Sequence, residues 1–294
     1  MRLFLFFNLI LSLLVQHSFC QSKVLESRSM ASKLLKTEVK YSIYLPDGYE
    51  TSNRHYPVVY LLNGYTGNEQ DWIQFGNMLT LVDQSVVSGK FPAMIIVMPD
   101  GDDRLYMNKY DGSYPYEDMF IQEMIPFIEK EYRIRSERQF RAISGLSMGG
   151  AGALKLAMTY PDLFVASASY SAAIRSDKVL ATYGNDDQER FDNYFGRALG
   201  EGLKGQERLT EHYRKNNVFD IVQNKAPKEL KRVSYYFDCG DDDYLSPGNV
   251  QLHMDLKQLG IDHEFRIRDG AHTWSFWRES LPIGLTFIGK YFSR

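Results

Sequence analysis

Gly145-Leu146-Ser147-Met148-Gly149 reads G-x-S-x-G at a point where one periodicity gives way to another. Before it, residues 139–144 (Gln-Phe-Arg-Ala-Ile-Ser) look like a buried strand entering a turn. After it, residues 150–160 begin with small side chains and continue with apolar ones at helical spacing. A turn this sharp leaves no room for a side chain at either flank, which is why glycine stands at both. The serine between them is then lifted out at the end of a sheet, as in a nucleophile elbow. The pentapeptide alone is common, and the bland reading is a glycine-rich turn with an ordinary serine. The flanking strand and helix make Ser147 a candidate nucleophile.

The chain has 294 residues, 44% hydrophobic and 24% charged, which suits one α/β domain with a large core. Its net charge of -3 offers no basic field for nucleic acid. No repeat, low-complexity tract or Pro/Ser-rich linker divides it, so a single domain is expected over residues 21–294.

The first 20 residues read as a leader. Arg2 is basic, and residues 3–15 are apolar apart from Asn8 and Ser12, too short a run to span a bilayer comfortably. Ser18-Phe19-Cys20 then places small residues at the -3 and -1 positions of a cleavage site. A secreted or periplasmic protein with no integral membrane segment after cleavage is expected. Lipidation of Cys20 is the rival reading, and Phe19 fits it poorly. Cleavage would leave Cys239 alone, so no internal disulfide could form.

Further strands are expected at residues 39–45, where alternation marks an edge or antiparallel strand, and at 56–62 and 94–98, short apolar runs typical of central parallel strands. Residues 165–169, 233–239 and 264–268 complete the set. Helices are expected over 116–132, 250–259 and 274–292. This alternation implies a mostly parallel sheet with helices on both faces. Residues 175–223 break the rhythm and read as a small helical lid over the site.

A serine hydroxyl needs a base, and the base needs an orienting carboxylate. In an elbow-type site the chain order is Ser, acid, His. Of six histidines, His272 follows the predicted strand 264–268 and so lies at the carboxyl edge of the sheet. His17 falls in the leader, His55 precedes the first buried strand, and His263 sits just before a strand. His212 and His253 read as surface residues on helices. Gly240-Asp241-Asp242-Asp243 follows the strand 233–239, and Asp243 has enough turn before it to point back towards His272. No D-x-D-x-D-G spacing supports a calcium loop. Two N–H donors are needed for an oxyanion. The Met148 amide is one, and the Tyr65 amide, freed to turn by Gly64, is the other. Since these are backbone donors, the Tyr65 side chain is not expected to matter.

The stretches Tyr56-Pro57-Val58-Val59-Tyr60-Leu61-Leu62-Asn63-Gly64, Gly145-Leu146-Ser147-Met148-Gly149-Gly150, Asp238-Cys239-Gly240 with Asp243, and Gly270-Ala271-His272-Thr273-Trp274 together resemble the putative-esterase (esterase D-like) branch of the α/β-hydrolases. That branch includes the feruloyl and acetylxylan esterases of carbohydrate esterase family one, S-formylglutathione hydrolases, tributyrin esterases and mycolyltransferases. The resemblance covers roughly residues 37–292 and implies an α/β-hydrolase fold. It implies Ser147, Asp243 and His272 as the triad, Tyr65 and Met148 as oxyanion donors, and no metal or cofactor. Many relatives carry His-Gly where this chain has Asn63-Gly64, a departure that bears on substrate rather than on hydrolysis.

Export argues against S-formylglutathione, a cytosolic substrate. The loop of residues 100–116 follows the predicted strand 94–98, and Tyr106, Tyr110 and Tyr114 in it are candidate contacts for a sugar or phenolic acyl group. The alternative is an aromatic loop packed on itself. Trp72 is expected beneath the oxyanion loop, and Trp274 and Trp277 as buttresses of the His272 loop. The expected activity is a serine esterase removing feruloyl or acetyl groups from a polysaccharide-linked or small-molecule ester. A short-chain acyl esterase, an acyltransferase and a non-catalytic carbohydrate-binding protein are the alternatives.

Overall fold

Short apolar runs such as 58–62 and 95–99, too short for stable helices, become the central strands of one sheet in a computed structural model that describes residues 22–184 and 187–292. The leader expected over residues 1–20, Cys20 included, lies outside the described residues. The strands are β1 (Lys23–Ser32), β2 (Thr37–Leu45), β3 (Val58–Leu62), β4 (Ile95–Pro99), β5 (Arg141–Leu146), β6 (Ala166–Tyr170), β7 (Ser234–Gly240) and β8 (His263–Arg268). Their order across the sheet is β1-β2-β4-β3-β5-β6-β7-β8. Strands β3 to β8 run parallel, while β2 lies antiparallel to both β1 and β4.

Alternation along the central strands divides two cores. Val58, Tyr60 and Leu62 of β3 face one, with Ile95 and Val97 of β4. Val59 and Leu61 face the other, with Ile96 and Met98. The helix Met148–Thr159 packs on the first face, and Trp274–Phe292 and Met78–Val87 on the second. This is the mostly parallel sheet covered on both sides that the sequence implies. Strand β1 has no counterpart in the sequence reading. Its residues are largely exposed, and a register break between Leu25 and Arg28 interrupts the alternation.

The described residues between 175 and 223 fold as short helices, among them Asp177–Thr182, Gln188–Phe191, the π-turn Asp192–Gly196 and Glu211–Asn216. Leu180, Phe191, Phe195, Leu199 and Tyr213 give it a small apolar core of its own, shared with Met107 from the loop after β4.

The Lys155–Glu117 ion pair is buried beneath the helix that follows Ser147. Lys155, on the helix after the elbow, contacts the Glu117 carboxylate and donates to the Tyr106 carbonyl at 2.9 Å. Burial alone would raise the Glu117 pKa, but Lys155 and the Tyr160 hydroxyl outweigh it and hold the carboxyl below its usual range. A half-removed pair leaves a buried charge without a counter-ion, whereas a fully apolar replacement does not. Glu117→Ala is expected to lower stability by about 3–5 kcal/mol in urea denaturation, and Glu117→Leu with Lys155→Met to recover most of it.

Candidate active site

Ser147 closes β5 in a conformation that side chains rarely adopt, φ 51° and ψ -115°, at a strain of about 1–3 kcal/mol. Hydrogen bonds on both sides hold it there. Its N–H donates to Tyr170 O at 2.9 Å, and its carbonyl accepts from Ala173 N at 2.9 Å and Ala151 N at 3.0 Å. The flanking glycines answer to close approach. A Cβ at Gly149 would stand 2.6 Å from the Leu62 and Asn63 carbonyl oxygens, and one at Gly145 would stand 2.6 Å from the Gly149 backbone. The strand, the helix and the neighbouring strand meet backbone to backbone.

His272 lies between Ser147 and Asp243. Its Nδ1 is 2.8 Å from Asp243 Oδ2 and its Nε2 is 3.0 Å from Ser147 Oγ. A carboxylate can only accept, so Nδ1–H donates to it and Nε2 is left as the acceptor for the serine hydroxyl. The acid and base loops are laced together. Asp242 N donates to Gly270 O at 3.0 Å, Asp241 N donates to Arg268 O at 3.0 Å, and Gly270 N donates to Asp241 Oδ1 at 3.0 Å. Asp241 thus fastens the turn, while Asp243 is the carboxylate bonded to His272. The neighbouring Asp238 binds Arg268 and the Tyr236 hydroxyl instead.

The Asp243 side chain is fully buried. Burial by itself would raise its pKa, but hydrogen bonds from His272, from Leu245 N at 2.9 Å and from the Ser171 hydroxyl outweigh it and hold the carboxyl below its ordinary range. Ser171 also accepts the Trp277 indole N–H at 3.1 Å, and the Trp277 ring meets His272 edge-on at 4.8 Å. Sequence reasoning missed Ser171, because a serine after β6 carries no motif. Cys239 is a free buried thiol beside Asp243, and burial pushes its pKa up.

The Met148 N–H stands in the first turn of a helix, where backbone donors lack intrahelical partners. Tyr65 lies on the turn Gly64-Tyr65-Thr66-Gly67, close enough that a Cβ on Gly64 would be 3.8 Å from Ser147 Cβ. The Gly64 carbonyl accepts from Asn63 Nδ2 at 2.9 Å and Gly67 N at 3.2 Å. A trans peptide points its N–H opposite its C=O, so these two bonds aim the Tyr65 N–H. Asn63 is itself held by Tyr106 OH at 2.7 Å and Gly101 N at 3.0 Å on its Oδ1. Trp72 braces the loop from beneath, its indole N–H on Leu62 O at 3.1 Å.

This corrects the expectation for the tyrosine loop. Tyr106 is wholly buried and serves Asn63, so it cannot touch a ligand here. Neither Tyr110 nor Tyr114 lines the Ser147 cleft. The Tyr114 ring lies under the Arg104 guanidinium, and Tyr110 N binds Ala198 O at 2.9 Å. The loop packs on itself and on the helical insertion. The aromatic wall of the cleft comes from Tyr65, Phe75, Tyr194, Tyr244 and Trp274. Beyond Met148, under the insertion, an apolar cavity is lined by Ala173, Ile174, Leu180, Phe195 and Val218, and Tyr194 borders both spaces. His263, expected just before a strand, is the first residue of β8, and it bonds to His253 at 2.8 Å; neither lines the Ser147 cleft. Among the described residues no group of three or more His, Cys, Asp or Glu side chains is placed to hold a metal ion. No helix among them is long and apolar enough to cross a membrane.

Known proteins carry the same arrangement of chain. The family model described as Putative esterase matches residues 32–288. An esterase of Mycobacterium tuberculosis is 32% identical over 248 residues, 79% of this chain and 52% of the relative. The chain therefore spans about half the length of that relative. An acetyl esterase of Caldicellulosiruptor saccharolyticus is 26% identical over 82% of this chain and 86% of its own. A solved ferulic acid esterase superposes with a TM-score of 0.77 at 32% identity, over 93% of this chain and 99% of its own.

The depressed Asp243 pKa fixes the sign of a pH effect. Ionised Asp243 contributes stability above its unfolded pKa of about 3.9, and that contribution is lost as pH falls through the lower folded value. The stability advantage of wild type over Asp243→Asn in urea denaturation is expected to be full near neutral pH and to shrink below about pH 4.

Proposed function

We propose a specific reaction for this chain, which belongs to the Putative esterase family and is a serine ester hydrolase: it removes feruloyl or acetyl groups from a polysaccharide-linked ester. The observation that carries the reading is His272 bridging a buried carboxylate and a serine held at a strained turn. Ser147 Oγ attacks the ester carbonyl while His272 Nε2 takes its proton. Asp243 keeps the imidazole in the tautomer that can do so and stabilises its charged form. The Met148 and Tyr65 amides receive the charge that develops on the carbonyl oxygen. His272 returns the proton to the leaving alcohol, and water then cleaves the acyl-enzyme by the same route in reverse.

The substrate side rests on the two spaces that meet at Tyr194. The apolar cavity beyond Met148 suits an acyl group, and the open aromatic cleft of Phe75, Tyr244 and Trp274 suits a sugar on the alcohol side. The ferulic acid esterase and acetyl esterase among the relatives agree with that class. Export is part of the proposal and rests on the apolar run of residues 3–15 with Ser18-Phe19-Cys20 after it. The helical insertion of residues 175–223 acts as a lid in this reading.

The test is hydrolysis of methyl ferulate against p-nitrophenyl acetate and butyrate. Ferulate preference supports the feruloyl assignment, and turnover of the short acyl esters alone replaces it with a short-chain esterase. Ser147→Ala is expected to lower kcat by about a millionfold and Asp243→Asn by about 10⁴-fold, with folding intact by circular dichroism. Unchanged turnover in Ser147→Ala would sink the mechanism.

A further inference from the structure

The Tyr65 side chain reaches out of the oxyanion loop into the helical insertion. Its phenol O–H donates to the Asn193 carbonyl at 2.7 Å. Its ring lies 4.4 Å, centroid to centroid, from that of Tyr194. Both partners belong to the π-turn Asp192–Gly196. Such turns are rare and concentrate at functional positions. In this chain the turn carries an aromatic cluster in which Tyr194 contacts Tyr183 at 6.0 Å and Phe195 at 4.6 Å, with Arg175 stacked 5.0 Å above it. The lid core behind Phe195 holds that cluster in place.

Seen from the loop, the anchors fall into two sets. From beneath, Asn63, Tyr106, Gly101 and Trp72 fix the entry strand and the direction of the Gly64–Tyr65 peptide. On the far side the Thr66 N–H binds the Asp103 carboxylate. These leave the height of the crest, where Tyr65 stands, to be set by the side chain of Tyr65 itself. A donor must meet the oxyanion within a few tenths of an ångström to be useful, and about 1 Å of misplacement can cost 10²-fold.

We propose that Tyr65 is a positioning residue whose phenol, tied to the Asn193 carbonyl and stacked on Tyr194, sets where its own backbone N–H meets the oxyanion, so that the lid tunes the catalytic centre it covers. The inference rests on the esterase reading, with the Tyr65 amide as an oxyanion donor. It gives the Tyr65 side chain a part that a backbone donor by itself does not require.

The experiment compares wild type, Tyr65→Phe and Tyr194→Ala on p-nitrophenyl acetate, with inhibition by an alkyl trifluoromethyl ketone, whose serine adduct carries the oxyanion. Tyr65→Phe keeps the ring and removes only the bond to Asn193. Its kcat is expected to fall about tenfold with KM within about twofold, a fraction of the loss seen when a whole donor is removed. The inhibition constant should weaken by the same factor as kcat. An unchanged kcat overturns the proposal, and so does a rise in KM alone, which would make the contact a ground-state wall. Were Tyr65→Phe to misfold, Tyr194→Ala, which leaves Tyr65 in place, must lower kcat and weaken the ketone by the same factor whatever happens to KM, since Tyr194 also borders the substrate spaces; an unchanged kcat there overturns the proposal equally. Failure of the esterase reading is separate: wild type itself would then turn over no ester.

Discussion

Backbone meets backbone where β5 turns into the helix Met148–Thr159. At Gly149 the nearest neighbours are the carbonyls of Leu62 and Asn63, 2.6 Å from where a Cβ would stand. That contact forces Ser147 into its strained conformation and brings the end of β3, and so the Gly64–Gly67 loop, beside the hydroxyl. The strain is sustained because Tyr170 at the end of β6 binds the serine N–H while Ala173, just past β6, and Ala151 of the helix bind its carbonyl. Loosening any of the three elements would relax the turn and move Ser147 away from His272.

From that point the site is built outward by loops at the carboxyl edge of a parallel sheet. Each loop carries one chemical element and is laced to the next. Asp241 stitches the acid turn to the His272 loop, and Ser171 connects Asp243 to Trp277, which in turn meets the His272 ring. Buried polar groups are costly unless satisfied. Here their satisfaction is also what fixes the geometry, since one Asp243 oxygen accepts from Leu245 N and the other from His272.

The helical insertion shares its small apolar core with Met107 of the loop after β4, and its π-turn reaches the Gly64–Gly67 loop through Tyr65. Tyr194 stands where the open aromatic cleft and the enclosed apolar cavity adjoin. One short turn of chain therefore borders both spaces and also contacts the side chain of Tyr65, a candidate oxyanion donor.

The linear chain determined the alternation of strand and helix, the parallel sheet and the elbow, because periodicity and the steric demand for glycine are local properties. It also singled out Ser147, Asp243 and His272, since each stands just past a recognisable strand and an edge of strand ends is where such groups converge. What it could not carry was direction. Tyr106 and Tyr65 are both tyrosines in glycine-bounded loops, yet Tyr106 turns inward to hold Asn63 while Tyr65 turns outward to the lid. The pairing of Ser171 with Asp243 and Trp277 joins residues 72 and 106 positions apart in the chain. Strand β1 lay hidden because an edge strand with mostly exposed side chains has no hydrophobic pattern to read. Those outcomes belong to the tertiary structure, because side-chain direction and long-range hydrogen bonds depend on what the folded chain places opposite each residue.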